Sequence, residues 1–203
     1  MTTDKLARWI GTAGIAAIAF VLSTPASAHV GTGEAHGFMH GLSHPIGGLD
    51  HVLAMVAVGL LAANLGGRAM WLVPAAFVLM MAAGGALAMS HVEVPYVELG
   101  IAASVVVLGL AVALRLPLPT MAAMALVGFF AIFHGFAHGA EMPADASGAS
   151  YAAGFMLATA LLHAIGIGIG LAVARIRTGS VDASQLGGAA VSIAGVALIG
   201  GWI

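Results

Sequence analysis

Two short stretches of the chain carry most of its metal-binding side chains. The first reads HPIGGLDH at residues 44–51, and the second reads FHGFAHGAE at residues 133–141. Each adjoins a long apolar run, where ionisable side chains usually face a cavity or a pathway because exposing them to lipid is costly. The two stretches therefore predict one shared polar site inside an apolar protein.

The types of residue in these stretches indicate a divalent transition metal. The chain contains no cysteine, which excludes disulfides, iron–sulfur clusters and thiolate metal sites. Imidazole and carboxylate ligands without thiolates suit Ni²⁺, Co²⁺, Zn²⁺, Cu²⁺ or Mn²⁺, and affinity alone does not choose among them. The candidate ligands are His44, Asp50, His51, His134, His138 and Glu141.

The spacing within the second stretch suits a single ion. His134 and His138 are four residues apart, so on a helix they share one face at a rise of about 6 Å. Glu141 follows three residues later, near the same face. We therefore expect this stretch to offer two imidazoles and a carboxylate to one ion.

The spacing within the first stretch leaves two arrangements open. His44 and His51 are seven residues apart, which separates them by roughly 10 Å along a continuous helix. They can share an ion if the end of the helix unwinds, or they can form an outer and an inner station. Asp50 either binds the ion directly or holds a ligating imidazole through its N–H.

Four further histidines are weaker candidates for metal binding. His29, His36 and His40 lie in a glycine-rich stretch, residues 29–43. Because glycine disfavours helices, we predict a mobile arm there, which either collects metal or is a plain solvated linker. His163 lies in the middle of a later apolar segment, where a buried imidazole favours a role in a pathway.

The composition indicates a polytopic membrane protein. Hydrophobic residues make up 61% of the 203 residues and charged residues only 7%, with a mean hydropathy of +1.08. Soluble domains carry about 25% charged residues. The formal net charge of −2 suggests no nucleic-acid partner, and the lipid bilayer is the expected surroundings.

The first 28 residues are typical of a cleaved signal peptide. Lys5 and Arg8 precede an apolar run, and Ala-Ser-Ala at residues 26–28 matches a small-residue cleavage site. The alternative is an uncleaved first transmembrane helix. Cleavage would make His29 the mature N-terminus, whose amine and imidazole could chelate a metal together.

The rest of the chain, residues 29–203, is predicted to be one all-α domain, a bundle of six transmembrane helices. A spanning helix needs about 20 apolar residues. Pro45 is expected at the first helical position, with His44 near the N-cap. The six predicted segments are residues 45–65, 69–89, 96–114, 119–139, 150–173 and 184–203.

The positive charges predict how the bundle is oriented. Lysine and arginine favour the cytoplasmic side, and six spans place all six basic residues there: Lys5, Arg8, Arg68, Arg115, Arg175 and Arg177. The protein would then lie in a bacterial inner membrane with a periplasmic mature N-terminus and periplasmic arm. Both metal-binding stretches would lie near the periplasmic face, at similar depth.

The patterns HPxxGxDH and FHGxAHGxE resemble those of the HupE/UreJ family of hydrogenase and urease accessory membrane proteins. The resemblance extends over essentially the whole chain. It implies a secondary permease for nickel, or for cobalt as in some members, with a functional link to hydrogenase or urease maturation. It also implicates in metal handling the motif residues His44, Asp50, His51, His134, His138 and Glu141.

We therefore predict a permease for Ni²⁺ or Co²⁺, not an enzyme, with no permanent cofactor. No phosphate-binding GxxxxGK[ST] loop is present, so transport would be driven by gradients or by trapping of the metal. One alternative is an intramembrane hydrolase that uses a metal to activate water, with Ser43, Ser90 and Ser104 as accessory groups. The other alternative is a periplasm-facing metal sensor or chaperone, for which His163 would be dispensable.

Overall fold

A computed structural model describes residues 34–90, 92–142, 147–174, 176–178 and 181–203. The predicted signal peptide and His29 lie outside the described residues. Within them the chain forms seven α-helices and one short antiparallel ladder of two strands. These are α1 Glu34–Gly47, α2 Leu49–Leu65, α3 Ala69–Met89, α4 Val97–Ala113, α5 Thr120–Ala140, α6 Gly148–Val173, β1 Arg177–Thr178, β2 Val181–Asp182 and α7 Ala183–Ile199.

Three of these helices are long and apolar enough to cross a membrane, namely α3, α5 and α6, with 21, 21 and 26 residues. The end of α1 and the whole of α2 meet the same test only as a bent pair, which would be a fourth span. Helices α4 and α7 have 17 residues each, about 26 Å, which is short of a hydrocarbon core of about 30 Å. The all-helical fold is confirmed, with three or four candidate membrane spans among the described residues, whereas six spans are not.

The first predicted segment, residues 45–65, is not one continuous helix. The chain bends by 84° between residues 37–47 and Leu49–Leu65. Gly48 lies at the bend as the N-cap of α2 with extended φ and ψ of −102° and 119°, and two successive glycines have low helix propensity. Pro45 therefore lies inside α1, and the predictions that it begins a helix and that His44 lies near an N-cap are wrong.

The glycines of the predicted arm do not prevent a helix, because α1 begins at Glu34. They lie where α1 packs on α6. A Cβ at Gly41 would collide with the backbone carbonyl of Tyr151, and one at Gly154 would collide with that of Phe38. Such small residues let helix backbones approach closely in membrane proteins. Tertiary packing therefore outweighs the low intrinsic propensity of glycine.

The same kind of contact joins the other helix pairs of the bundle. Backbone meets backbone where α3 packs on α5, where α2 packs on α6 and where α4 packs on α7. The glycines at these contacts are Gly84 and Gly135, Gly59 and Gly166, and Gly109 and Gly188. These close contacts hold the start of α2 beside the end of α5, where the two polar stretches lie.

A polar cluster joins the opposite ends of α2 and α4 to α7. The buried carboxylate of Asp182 pairs with Arg115 at 2.9 Å and caps α7 through a capping box with Gln185. Ser184 donates a hydrogen bond to Asn64 Oδ1 at 3.0 Å. These bonds anchor one end of the bundle, far along α2 from Asp50 and His51.

Candidate metal site

Three helix ends bring the predicted ligands together. His44 lies in the last turn of α1, and Asp50 and His51 lie in the first turn of α2. His134 and His138 lie in the last two turns of α5, and Glu141 is the residue that caps its C-terminus. The 84° bend between α1 and α2 turns the two halves of the first stretch around the end of α5.

The outer part of the site consists of His44, His138 and Glu141. The Nε2 atom of His44 lies 2.9 Å from Glu141 Oε2, and one ligand atom from each of the three residues lies within 4.8 Å of the others. Two ligand atoms bound to one ion at about 2.1 Å are at most about 4.2 Å apart. A small inward movement would therefore let all three bind the same ion.

Exposure of the outer part decreases from Glu141 inward. The Glu141 side chain is 58% exposed and that of His44 is 25% exposed, whereas His138 is 1% exposed. An ion arriving from solvent therefore meets a carboxylate first and a buried imidazole last.

The deeper part of the site is formed by His51 and His134 around the same His138. The ring centroid of His51 lies 4.5 Å from that of His138 and 4.8 Å from that of His134. The ring of His44 lies 4.8 Å from His138 on the outer side. His138 is therefore shared by the outer and the deeper groups.

Asp50 holds His51 in place. Its Oδ1 atom accepts hydrogen bonds from the backbone N–H of His51 and from His51 Nδ1, both at 2.8 Å. Because an ionised carboxylate can only accept, Nδ1 carries the proton and Nε2 keeps its lone pair for a metal. Of the two roles predicted for Asp50, the geometry corresponds to orienting an imidazole.

A hydroxyl that the metal-site prediction did not include orients His134. The Oγ atom of Ser104 donates to the carbonyl of Ile101 at 2.6 Å, so it accepts from His134 Nε2 at 2.9 Å. The lone pair of His134 then lies on Nδ1. Ser104 is the only hydroxyl-bearing residue of α4, and this isolated polar residue is the feature of the sequence that could have indicated a role. The sequence alone does not identify its partner.

Several buried nitrogens of this cluster have no hydrogen-bond partner among the described residues. They are Nε2 of His51, Nδ1 of His134 and both ring nitrogens of His138. Buried polar atoms in folded proteins almost always have a partner. Because a neutral imidazole carries its lone pair on one nitrogen only, each of the three adjacent rings can offer one of these atoms to a transition-metal ion.

His163 lies deeper in α6 and does not join the cluster directly. It is 1% exposed, and neither ring nitrogen has a partner among the residues described. The ring of Phe77 in α3 contacts the rings of both His163 and His134, with centroid distances of 5.1 Å and 5.5 Å. One aromatic ring therefore connects the cluster to His163.

Of the weaker candidates near the start of the chain, His40 lies at the entrance to the site. The exposed ring of His40 stacks on His44 at 5.8 Å and lies 5.9 Å from the ring of Tyr151. Tyr151 is buried, and its hydroxyl has no partner in the described part of the chain. Tyr151 lies outside both sequence motifs. His36 lies in α1, but its side chain is outside the described set.

Comparisons with known proteins agree with the two motifs. The chain matches the family described as HupE / UreJ protein over residues 16–198. It is 47% identical over 183 residues to "Protein HupE" of Rhizobium leguminosarum bv. viciae, which covers 90% of this chain and 94% of that protein. No solved structure matches the chain. The matched region contains every residue of the cluster.

Proposed function

We propose that this chain, which belongs to the HupE/UreJ family, is a secondary permease that imports a divalent transition metal. The favoured substrate is Ni²⁺, with Co²⁺ second, for supply to a metalloenzyme such as hydrogenase or urease. One observation carries the proposal: an unbroken series of ligands runs from the exposed Glu141 through His44 and His138 to the partly buried His51 and the fully buried His134.

This series of ligands suits transfer better than permanent storage. Conduction requires sites that bind well enough to capture an ion and weakly enough to release it. The outer group offers two imidazoles and one carboxylate, the deeper group offers imidazoles alone, and His138 belongs to both. An ion can therefore exchange one ligand at a time while it stays bound to His138.

The proposed location is a bacterial inner membrane, with Glu141 facing the periplasm. Arg68 precedes α3 and Arg115 follows α4, while Asp50 and His51 begin α2 and Glu141 ends α5. Basic residues therefore lie at helix ends opposite to the metal-binding residues, as expected for the cytoplasmic side. We propose that the ion enters at Glu141 and leaves at the end that carries these arginines.

The test is uptake of radioactive Ni²⁺ at trace concentration by cells that express the protein, against cells with an empty vector. Unlabelled Co²⁺, Zn²⁺ and Mn²⁺ are added as competitors. Ni²⁺ uptake that Co²⁺ inhibits more strongly than Mn²⁺ would support the proposal. Absence of uptake, with the protein present in the membrane and Ni²⁺ bound to the purified chain, would reject the permease and favour a sensor or chaperone.

We propose His163 as a deeper station on the same route, reached past Phe77. Replacing His163 with leucine should lower the rate of Ni²⁺ uptake by about tenfold, the effect of about 1.4 kcal/mol. Equilibrium binding of Ni²⁺ to the purified variant should stay at the wild-type level, because the outer ligands are intact. Normal uptake by His163→Leu would assign His163 to packing alone.

A further inference from the structure

A second candidate site adjoins the histidine cluster and has different ligands. A cavity of about 70 Å³ lies between α3, α5 and α6. Four methionines line it, together with His138 and Tyr151, and its remaining wall is glycine, alanine and phenylalanine. The methionines are Met81, Met89, Met142 and Met156. We infer that this cavity binds a soft monovalent cation, Cu⁺ or Ag⁺, through thioether sulfurs and one nitrogen of His138.

Two of the sulfurs lie beside one point of the cavity wall. A Cβ built at Gly148 would lie 3.5 Å from the sulfur of Met142 and 3.9 Å from that of Met89. Both sulfurs therefore lie within van der Waals distance of the same point of the wall. Met156 borders the cavity from α6, and the sulfur of Met81 already accepts from Thr159 at 3.7 Å. Met89, Met142 and Met156 are therefore the thioether ligands of the site.

His138 supplies the observation that separates a site from ordinary packing. Methionine commonly fills irregular gaps in apolar cores, but here space remains between the side chains. The ring bordering that space is 1% exposed, and both its nitrogens lack a partner among the described residues. A neutral imidazole has one lone pair, so His138 can bind an ion of the imidazole–carboxylate cluster or one in the cavity, but not both at once.

The class of ligand follows from the donor atoms. Thioether sulfur is a soft, uncharged ligand that favours Cu⁺, whereas imidazole and carboxylate suit Ni²⁺, Co²⁺ and Zn²⁺. Ag⁺ has the same charge and similar softness and does not change oxidation state, so it is the practical probe. The thioether cavity would therefore select soft monovalent ions and the imidazole–carboxylate cluster divalent ions. His138 belongs to both sites.

The test uses the full-length protein purified in detergent and titrated calorimetrically with silver nitrate in chloride-free buffer. The site variant combines Met89→Leu, Met142→Leu and Met156→Leu, because leucine has nearly the volume of methionine and no sulfur. The control variant combines Met39→Leu, Met80→Leu and Met121→Leu, three exposed methionines outside the cavity lining. X-ray absorption at the silver edge identifies the atoms bound to Ag⁺.

We expect the wild type and the control variant to bind one Ag⁺ with sulfur neighbours. The site variant should bind it at least about tenfold more weakly, a loss of about 1.4 kcal/mol or more. Ni²⁺ binding should be the same in all three proteins. Equal Ag⁺ affinity in the wild type and the site variant, or a spectrum with nitrogen and oxygen neighbours only, would overturn the inference.

A second experiment measures transport, and its interpretation rests on the proposed function. Ag⁺ held at His138 should inhibit Ni²⁺ uptake in wild-type cells, and the site variant should need at least about tenfold more Ag⁺ for the same inhibition. Its uptake without Ag⁺ should be unchanged. If the wild type takes up no Ni²⁺ while purified protein binds Ag⁺ through sulfur, the permease proposal fails and the thioether site stands.

Discussion

Replacing His138 with alanine is expected to lower the initial rate of Ni²⁺ uptake by at least about 100-fold. Loss of a residue that merely orients a metal ligand already costs about 10–100-fold in affinity or activity, and His138 is placed to bind the ion itself. Its ring lies 4.8 Å from His44 and 4.5 Å from His51. Without it, no ring contact connects the outer ligand His44 to the deeper ligand His51.

The measurement is uptake of radioactive Ni²⁺, normalised to the amount of protein in the membrane fraction. Phe155→Leu is the matched control, because the Phe155 ring packs against His138 at 4.3 Å but offers no ligand atom. Like His138→Ala, the Phe155→Leu variant removes the contact between these two rings, but it should keep most of the Ni²⁺ uptake. Wild-type uptake by His138→Ala at equal abundance would show that the ion does not pass through this cluster.

Replacing Asp50 with alanine is expected to raise the half-saturating Ni²⁺ concentration by about 10–100-fold. Asp50 Oδ1 accepts from both the backbone N–H and Nδ1 of His51 at 2.8 Å. Alanine would free the imidazole to rotate and to carry its proton on either nitrogen. Asp50→Asn should be intermediate, since an amide oxygen can still accept from Nδ1 but lacks the negative charge.

Uptake measured over a range of Ni²⁺ concentrations separates this effect from a loss of protein. The control is Glu93→Gln, which removes one negative charge from an exposed loop residue outside the cluster. If Asp50→Asn behaves like the wild type while Asp50→Ala fails, only the hydrogen bond matters. If both variants have the half-saturating concentration of the wild type, the role assigned to Asp50 is wrong.

The amino-acid sequence by itself determined the class of protein and the identity of the candidate ligands. A chain with 61% hydrophobic and 7% charged residues cannot be a typical soluble domain, because its apolar surface needs lipid or protein to cover it. The two motifs also identify the candidate ligands, since few side chains bind transition metals and cysteine is absent. These conclusions depend only on residue types and local spacing.

Only the tertiary structure decided how the ligands meet. The sequence left open whether His44 and His51 share an ion, and in the folded chain, which bends at Gly48, both rings lie against His138. The glycines of α1 suggested a mobile arm, because intrinsic propensity is a local property. Their contact with α6 involves a backbone more than 100 residues away, which no local rule can include.

The partners of the buried histidines also depend on how the helices cross. Ser104 orients His134 from α4, and Phe77 joins His134 to His163 from α3. In the sequence, both are single residues within apolar runs, with nothing to indicate which neighbour they contact. The crossing positions of helices are set by the packing of small residues along their whole length. The sequence therefore determined which residues are candidate metal ligands, and the packing determined which of them lie together.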